Sequence, residues 1–170
     1  MTELFDFIDL GCGIGGSIDW VKANLGGNSY LGIDIRQAEC NKAKNNGYNV
    51  FLADVTSPAL ILPKSRFVTM IHLLEHLNNE AEVELVVRKA LESAEDYIFI
   101  KGPTFKSNEY LKNFGFKLTW TDWWGHKCPV DKDMLFRVLH KCNVRDYQID
   151  FAYHQEIENS LSPEIVPITA

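Results

Sequence analysis

A chain of 170 residues, 46% apolar and 24% charged, has the composition of a single folded domain large enough to bury a sizeable core. Its formal net charge of −6 argues against an extended grip on a polyphosphate backbone, which needs clustered Lys and Arg, and so against nucleic acid as a partner. No apolar run reaches the ~18 residues of a membrane span, and no basic segment followed by an apolar stretch opens the chain, so a cytoplasmic protein without membrane contact is expected.

The first apolar run, Phe5 to Asp9, ends in an acid and then in the glycines Gly11, Gly13, Gly15 and Gly16. This pattern reads as a buried strand, a tight turn and a helix that begins near Ser17. Glycine lets the backbone take positive φ and lets a ligand lie against bare main chain. The N–H groups that open the helix then face that ligand with partial positive charge. Such a turn alone also fits a dinucleotide or an ordinary tight turn. The spacing Asp9-x-Gly11-x-Gly13-x-Gly15 differs, however, from the dinucleotide pattern G-x-G-x-x-G. The segment Asp9-Leu10-Gly11-Cys12-Gly13-Ile14-Gly15 resembles the first motif of class I S-adenosylmethionine-dependent methyltransferases.

Residues 17–25 place Ile18, Val21 and Leu25 at helical spacing, and Gly26-Gly27 stop that helix. Ser29 to Ile35 form a second apolar strand that carries Asp34 at its end. In a parallel sheet, an acid about twenty residues past a glycine turn can accept from both ribose hydroxyls; Asp34 could instead cap the helix that follows Arg36. Gln37 to Asn46 read as a second helix and Tyr48 to Asp54 as a third strand, again ending in an acid. The resemblance assigns Asp54, with the Val55 backbone, to the adenine; a cap or turn role is the alternative. Residues 57–65 read as a loop and Arg66 to His72 as a fourth strand. The following Leu74-Glu75-His76-Leu77 resembles the Leu-Glu-His stretch of small-molecule methyltransferases. His72-Leu73-Leu74-Glu75-His76 also matches the zinc signature H-x-x-E-H, but it begins on a strand end, which would not set the histidines one helical turn apart.

Glu80 to Ala94 form an amphipathic helix with Val83, Val86, Val87, Ala90 and Leu91 on one face. Tyr97 to Lys101 form a fifth strand. Alternating strands and helices imply a doubly wound α/β sheet with right-handed crossovers. Residues 104–130 are rich in aromatics, among them Phe105, Tyr110, Trp120, Trp123 and Trp124, and read as a substrate-facing insertion; completing the core or a dimer contact is the plainer role for any one of them. His126 or His76 is the candidate general base. The pairs His126-x-Cys128 and His140-x-Cys142 do not make a metal site, because side chains two apart on a helix point to different faces. No metal is expected, and Cys12, Cys40, Cys128 and Cys142 lack C-x-x-C spacing and read as free thiols. Asp131 to Cys142 form the last helix, and Val144 to His154 with Glu164 to Ile168 an antiparallel hairpin.

The resemblance implies one domain over residues 1–170 with a Rossmann-like, doubly wound, seven-stranded sheet, mostly parallel with an antiparallel C-terminal hairpin. It implies S-adenosylmethionine as cofactor and O- or N-methylation of a small-molecule acceptor. Asp9 and the main chain of Gly11, Cys12, Gly13 and Gly15 would hold the methionine part. Asp34 with Ile35 would take the ribose side, Asp54 with Val55 the adenine, and His72, where many relatives carry a carboxylate or amide, would border the cofactor. The helices that usually precede the first strand are missing, so the acceptor site is expected to be open or completed by a partner subunit or a second copy. No Asn/Asp-Pro-Pro-Tyr/Phe motif follows the fourth strand, which disfavours methylation of nucleic-acid bases. The competing readings are a non-catalytic cofactor-binding subunit or regulator, and a nucleotide-dependent oxidoreductase.

Overall fold

The computed structural model describes residues 4–103, 105, 107–121, 123–150 and 165–167. The glycine-terminated run is β1, Phe5–Leu10, followed by α1, Gly16–Asn24. Then come β2, Tyr30–Asp34, α2, Gln37–Asn45, β3, Val50–Leu52, and β4, Ser65–Ile71. A short 3-10 turn, Leu74–His76, precedes α3, Glu80–Ser93, and β5, Ala94–Lys101. These five strands make one parallel sheet in the order β3-β2-β1-β4-β5. The strand order reverses between β1 and β4, the point at which sheets of this kind form a ligand crevice outside the carboxyl ends of their strands.

Alternation along β1 and β4 distributes the core to both faces of the sheet. Ile8, Leu10, Val68 and Met70 pack with Val83, Val86 and Val87 of α3 and with Val138 and Leu139 of α5, Lys132–Lys141. Phe7, Phe67 and Ile71 pack on the other face with Ile18 and Val21 of α1 and Cys40 and Ala43 of α2. Both covering helices on the first face are capped as their sequences demand. The Asn79 side chain accepts from Glu82 N at 3.1 Å, and Asp131 Oδ1 accepts from Met134 N at 2.8 Å.

Beyond β5 the chain forms α4, Ser107–Lys112, and β6, Phe116–Leu118, which pairs antiparallel with β7, Ile165–Pro167. Of the expected seven-stranded sheet, the parallel part is found. Among the described residues the parallel sheet has five strands, and β6 and β7 form a separate two-stranded sheet. Of the hairpin expected between residues 144–154 and 164–168, residues 144–150 form no strand, Ile165–Pro167 pairs with β6, and 151–164 lie outside the described residues. Among the described residues no helix is long and apolar enough to cross a membrane.

Candidate functional site

At the end of β1 the Asp9 side chain is fully enclosed. It accepts from Ser17 Oγ of α1 and, at 2.6 Å, from Thr69 Oγ1, its cross-strand neighbour on β4. Burial pushes its carboxyl up to about 6, against the lowering effect of those two hydroxyl donors. Asp9 therefore ties two strands and a helix start together. Its side chain, expected at the ligand, is here turned to these two hydroxyls.

Gly11, Gly13 and Gly15 all take positive φ, at 77°, 54° and 106°. Space restricts two of them further. A Cβ on Gly11 would stand 2.9 Å from Leu73 Cδ1, and one on Gly15 would enter the Tyr48 ring, whose hydroxyl donates to Asp19 Oδ2. Cys12 is buried between them, and burial together with the Asp9 and Asp34 carboxylates pushes its thiol up to about 12. Only its main chain can meet a ligand.

Asp34 closes β2 and braces the turn. Its Oδ2 accepts from Gly13 N at 2.9 Å and its Oδ1 from Arg36 N at 2.8 Å and Arg36 Nε at 3.3 Å. The capping contact and the contact with the glycine turn thus coexist, and the carboxylate keeps lone-pair capacity for further donors. Next to it Ile35 is 62% exposed, an apolar side chain at the mouth of the crevice. After β3, Asp54 Oδ1 accepts from Thr56 N at 2.8 Å and Thr56 Oγ1 at 2.6 Å, an Asx turn. Its other oxygen and the Val55 N–H have no hydrogen bond among the described residues, while the Val55 carbonyl accepts from Lys89 Nζ at 3.0 Å.

On the β4 side of the crevice, His72 takes φ 53°, an uncommon conformation for a residue with a side chain. Its N–H donates to Lys101 O at 2.8 Å, and its Nδ1 lies 3.2 Å from Glu75 Oε1. Glu75 is only 2% exposed, with its carboxylate lying on Gly102, where Oε2 would be 3.4 Å from an added Cβ. The Glu75 carbonyl accepts from Lys127 N at 2.9 Å and Cys128 N at 3.1 Å, so the segment after β6 is pinned onto the turn after β4.

That pinning brings the two candidate bases together, with ring centroids 5.2 Å apart. His76 Nδ1 faces Gly125 O at 2.9 Å, and His126 Nδ1 faces Trp120 O at 2.7 Å. A carbonyl can only accept, so each Nδ1 carries a proton, and in the neutral ring each Nε2 is the acceptor. With Glu75 they form a trio whose ligand atoms all lie within 4.8 Å of one another. Spacing did not reveal this grouping, since His126 follows His76 only after α3, β5, α4 and β6. His72 of the H-x-x-E-H pattern touches Glu75 but is not part of the trio, and neither are Cys128, His140 and Cys142.

No family model and no curated protein matches the sequence. Solved structures do match the fold. A SAM-dependent methyltransferase from Archaeoglobus fulgidus superposes with a TM-score of 0.64 at 21% identity, over 91% of this chain and 74% of that one. One from Methanosarcina mazei gives 0.61 at 18% identity, over 97% and 90%. An amino pentose methyltransferase from Micromonospora echinaspora, with S-adenosylmethionine bound, gives 0.51 at 15% identity, over 61% of this chain and 45% of that one. The chain has the fold of the class I S-adenosylmethionine-dependent methyltransferases.

Proposed function

We propose that this protein is an S-adenosylmethionine-dependent methyltransferase acting on oxygen or nitrogen of a small-molecule acceptor. The glycine turn at the strand-order switch carries this reading, with Asp34 at the end of the next strand and Asp54 two residues past the one after. The residues fit the cofactor. Three glycines at positive φ leave bare main chain for the methionine part, and the first-turn N–H groups of α1 face the same space. Asp34 has capacity for the ribose hydroxyls, the free Asp54 oxygen and the Val55 N–H suit the amine and a ring nitrogen of adenine, and Ile35 offers an apolar surface to the base.

Bound there, the cofactor would supply an electrophilic methyl group on a sulfonium. The chain's work is then orientation and exclusion of water, and alignment of an in-line displacement can supply ~7–11 kcal/mol of the barrier. His72 borders the cofactor on the β4 side. Residues 104–130, within the single domain 1–170, form the acceptor-facing wall; the bonds from Lys127 and Cys128 to Glu75 support that role. His126 and His76 present their Nε2 lone pairs on that side, able to take a proton or to hold the acceptor. The net charge of −6 and the fold shared with an amino pentose methyltransferase favour a small molecule as acceptor.

Incubation with methyl-labelled S-adenosylmethionine and a panel of hydroxylated and aminated small molecules tests this function. Label is expected in at least one acceptor. Cofactor bound tightly with no transfer to any acceptor would favour a non-catalytic binding subunit instead.

A further inference from the structure

We infer that Glu75, His76 and His126 form a divalent metal site that holds the oxygen of a hydroxyl acceptor, making the reaction an O-methylation. The inference rests on the methyltransferase reading for the acceptor but not for the metal. The donor set is the first reason. Two imidazoles and one carboxylate suit Zn2+ and neighbouring divalent transition metals and leave coordination positions open, whereas Mg2+ and Ca2+ prefer oxygen ligands throughout.

Orientation is the second reason. Each histidine donates its Nδ1 proton to a main-chain carbonyl, Gly125 O for His76 and Trp120 O for His126, which fixes the tautomer with Nε2 free. This is the outer arrangement that metal-binding histidines use. A general base needs only one such ring; here two are locked alike, beside a buried carboxylate. The third reason is spacing. Ligand atoms at ~2.0–2.2 Å from one cation stand at most ~4.4 Å apart, and one ligand atom from each of the three residues already lies within 4.8 Å of the others. Trp123 and Phe105 set their rings roughly perpendicular to that of His126, with centroids 4.9 and 5.7 Å away.

Placement connects the site to the crevice. Glu75 and His76 follow β4, the glycine turn follows β1, and Leu73, three residues before His76, packs on Gly11 between them. A hydroxyl bound at an open position is acidified by the cation and gives its proton to solvent. The C–O bond then forms as the methyl–sulfur bond breaks with its electron pair retained by sulfur, leaving a neutral thioether.

Titration of Co2+ into the full-length protein, followed by visible absorption, tests the site directly. One equivalent is expected to bind with tetrahedral or five-coordinate bands, and acetohydroxamate, an oxygen chelator, is expected to shift them. His126→Ala and Glu75→Gln should each weaken binding more than ~100-fold, beyond the ~10–100-fold typical of losing an outer partner. His126 lies in a loop, so His126→Ala decides the matter if Glu75→Gln does not fold. Absent Co2+ bands, or equal binding by folded His126→Ala, would overturn the metal site. Bands that acetohydroxamate leaves unchanged would overturn the acceptor role. Stabilisation by S-adenosylhomocysteine, measured separately on the same samples, is expected to survive in His126→Ala; Co2+ binding without any such stabilisation would refute the methyltransferase reading and leave the metal site standing.

Discussion

Leu73 lies across Gly11, its Cδ1 2.9 Å from the position a Cβ on that glycine would occupy. One contact thus joins the turn after β1 to the turn after β4, the two walls of the crevice. Gly11→Ala meets both the Leu73 side chain and the strain of φ 77°, and is expected to cost ~1–3 kcal/mol of stability and most of the cofactor affinity. Leu73→Ala added to Gly11→Ala removes the 2.9 Å approach of Cδ1 but keeps the 3.2 Å approach of the residue 73 Cβ and the strain of the positive φ. Chemical denaturation of the double variant should therefore recover only part of the loss, and full recovery would show that the conformation itself is unimportant.

Asp34 holds Gly13 N and Arg36 N at once. Asp34→Ala leaves both main-chain donors without this partner and removes the proposed ribose acceptor. Hydrogen bonds to a charged group are worth ~1.5–3 kcal/mol, so S-adenosylhomocysteine affinity measured by titration calorimetry should fall by ~10–100-fold. An unchanged affinity would place the ribose elsewhere.

Asp9 makes a pH-dependent contribution of unusual sign. Its carboxyl titrates at about 6 in the folded chain against 3.8 in a model compound. Between those values the native state holds a proton that the unfolded chain has released, so this group's contribution to stability falls as pH rises across the window and is lowest above it. The full effect is on the order of 2–3 kcal/mol. In Asp9→Asn the hydroxyls of Ser17 and Thr69 can turn toward Cys12 O and Ile8 O, 3.3 and 3.5 Å away, and accept from the amide. Urea unfolding should show the variant gaining on the wild type as pH rises from 4 to 7. A constant difference would mean that Asp9 stays ionised throughout.

Cys12 sits inside the glycine turn, yet its thiol is pushed up to about 12 by burial and by nearby carboxylates. The thiolate is the reactive form. Alkylation of folded protein at pH 8 should therefore leave Cys12 unmodified while denatured protein reacts fully. Rapid labelling of Cys12 in the native state would show that the turn opens.

The glycine turn and the acids at the ends of β1 and β2 and after β3 were legible in the sequence because their signals are local. An apolar run, glycines at fixed steps and an acid at each strand end occupy short windows, and β1, β2 and β3 carry them in order. Two features were not legible. The role of Asp9 depends on Thr69, sixty residues away and opposite it in the sheet. The approach of His126 to Glu75 and His76 depends on main-chain bonds from Lys127 and Cys128, which no side-chain pattern encodes. The H-x-x-E-H pattern holds two of the three clustered residues, Glu75 and His76, while His72 is not among them. The pairing of β6 with β7 was missed for the same reason, since short strands far apart in sequence leave no periodic signal.

Thermal unfolding with and without S-adenosylhomocysteine, using NADH as the competing ligand, tests the central claim most directly. At ~100 times its dissociation constant the bound ligand stabilises the fold by ~2.7 kcal/mol. A clear upward shift with S-adenosylhomocysteine, none with NADH, and a reduced shift in Asp34→Ala is the predicted result. No shift in folded, cofactor-free protein, or a larger one with NADH, would contradict the assignment of the crevice to S-adenosylmethionine.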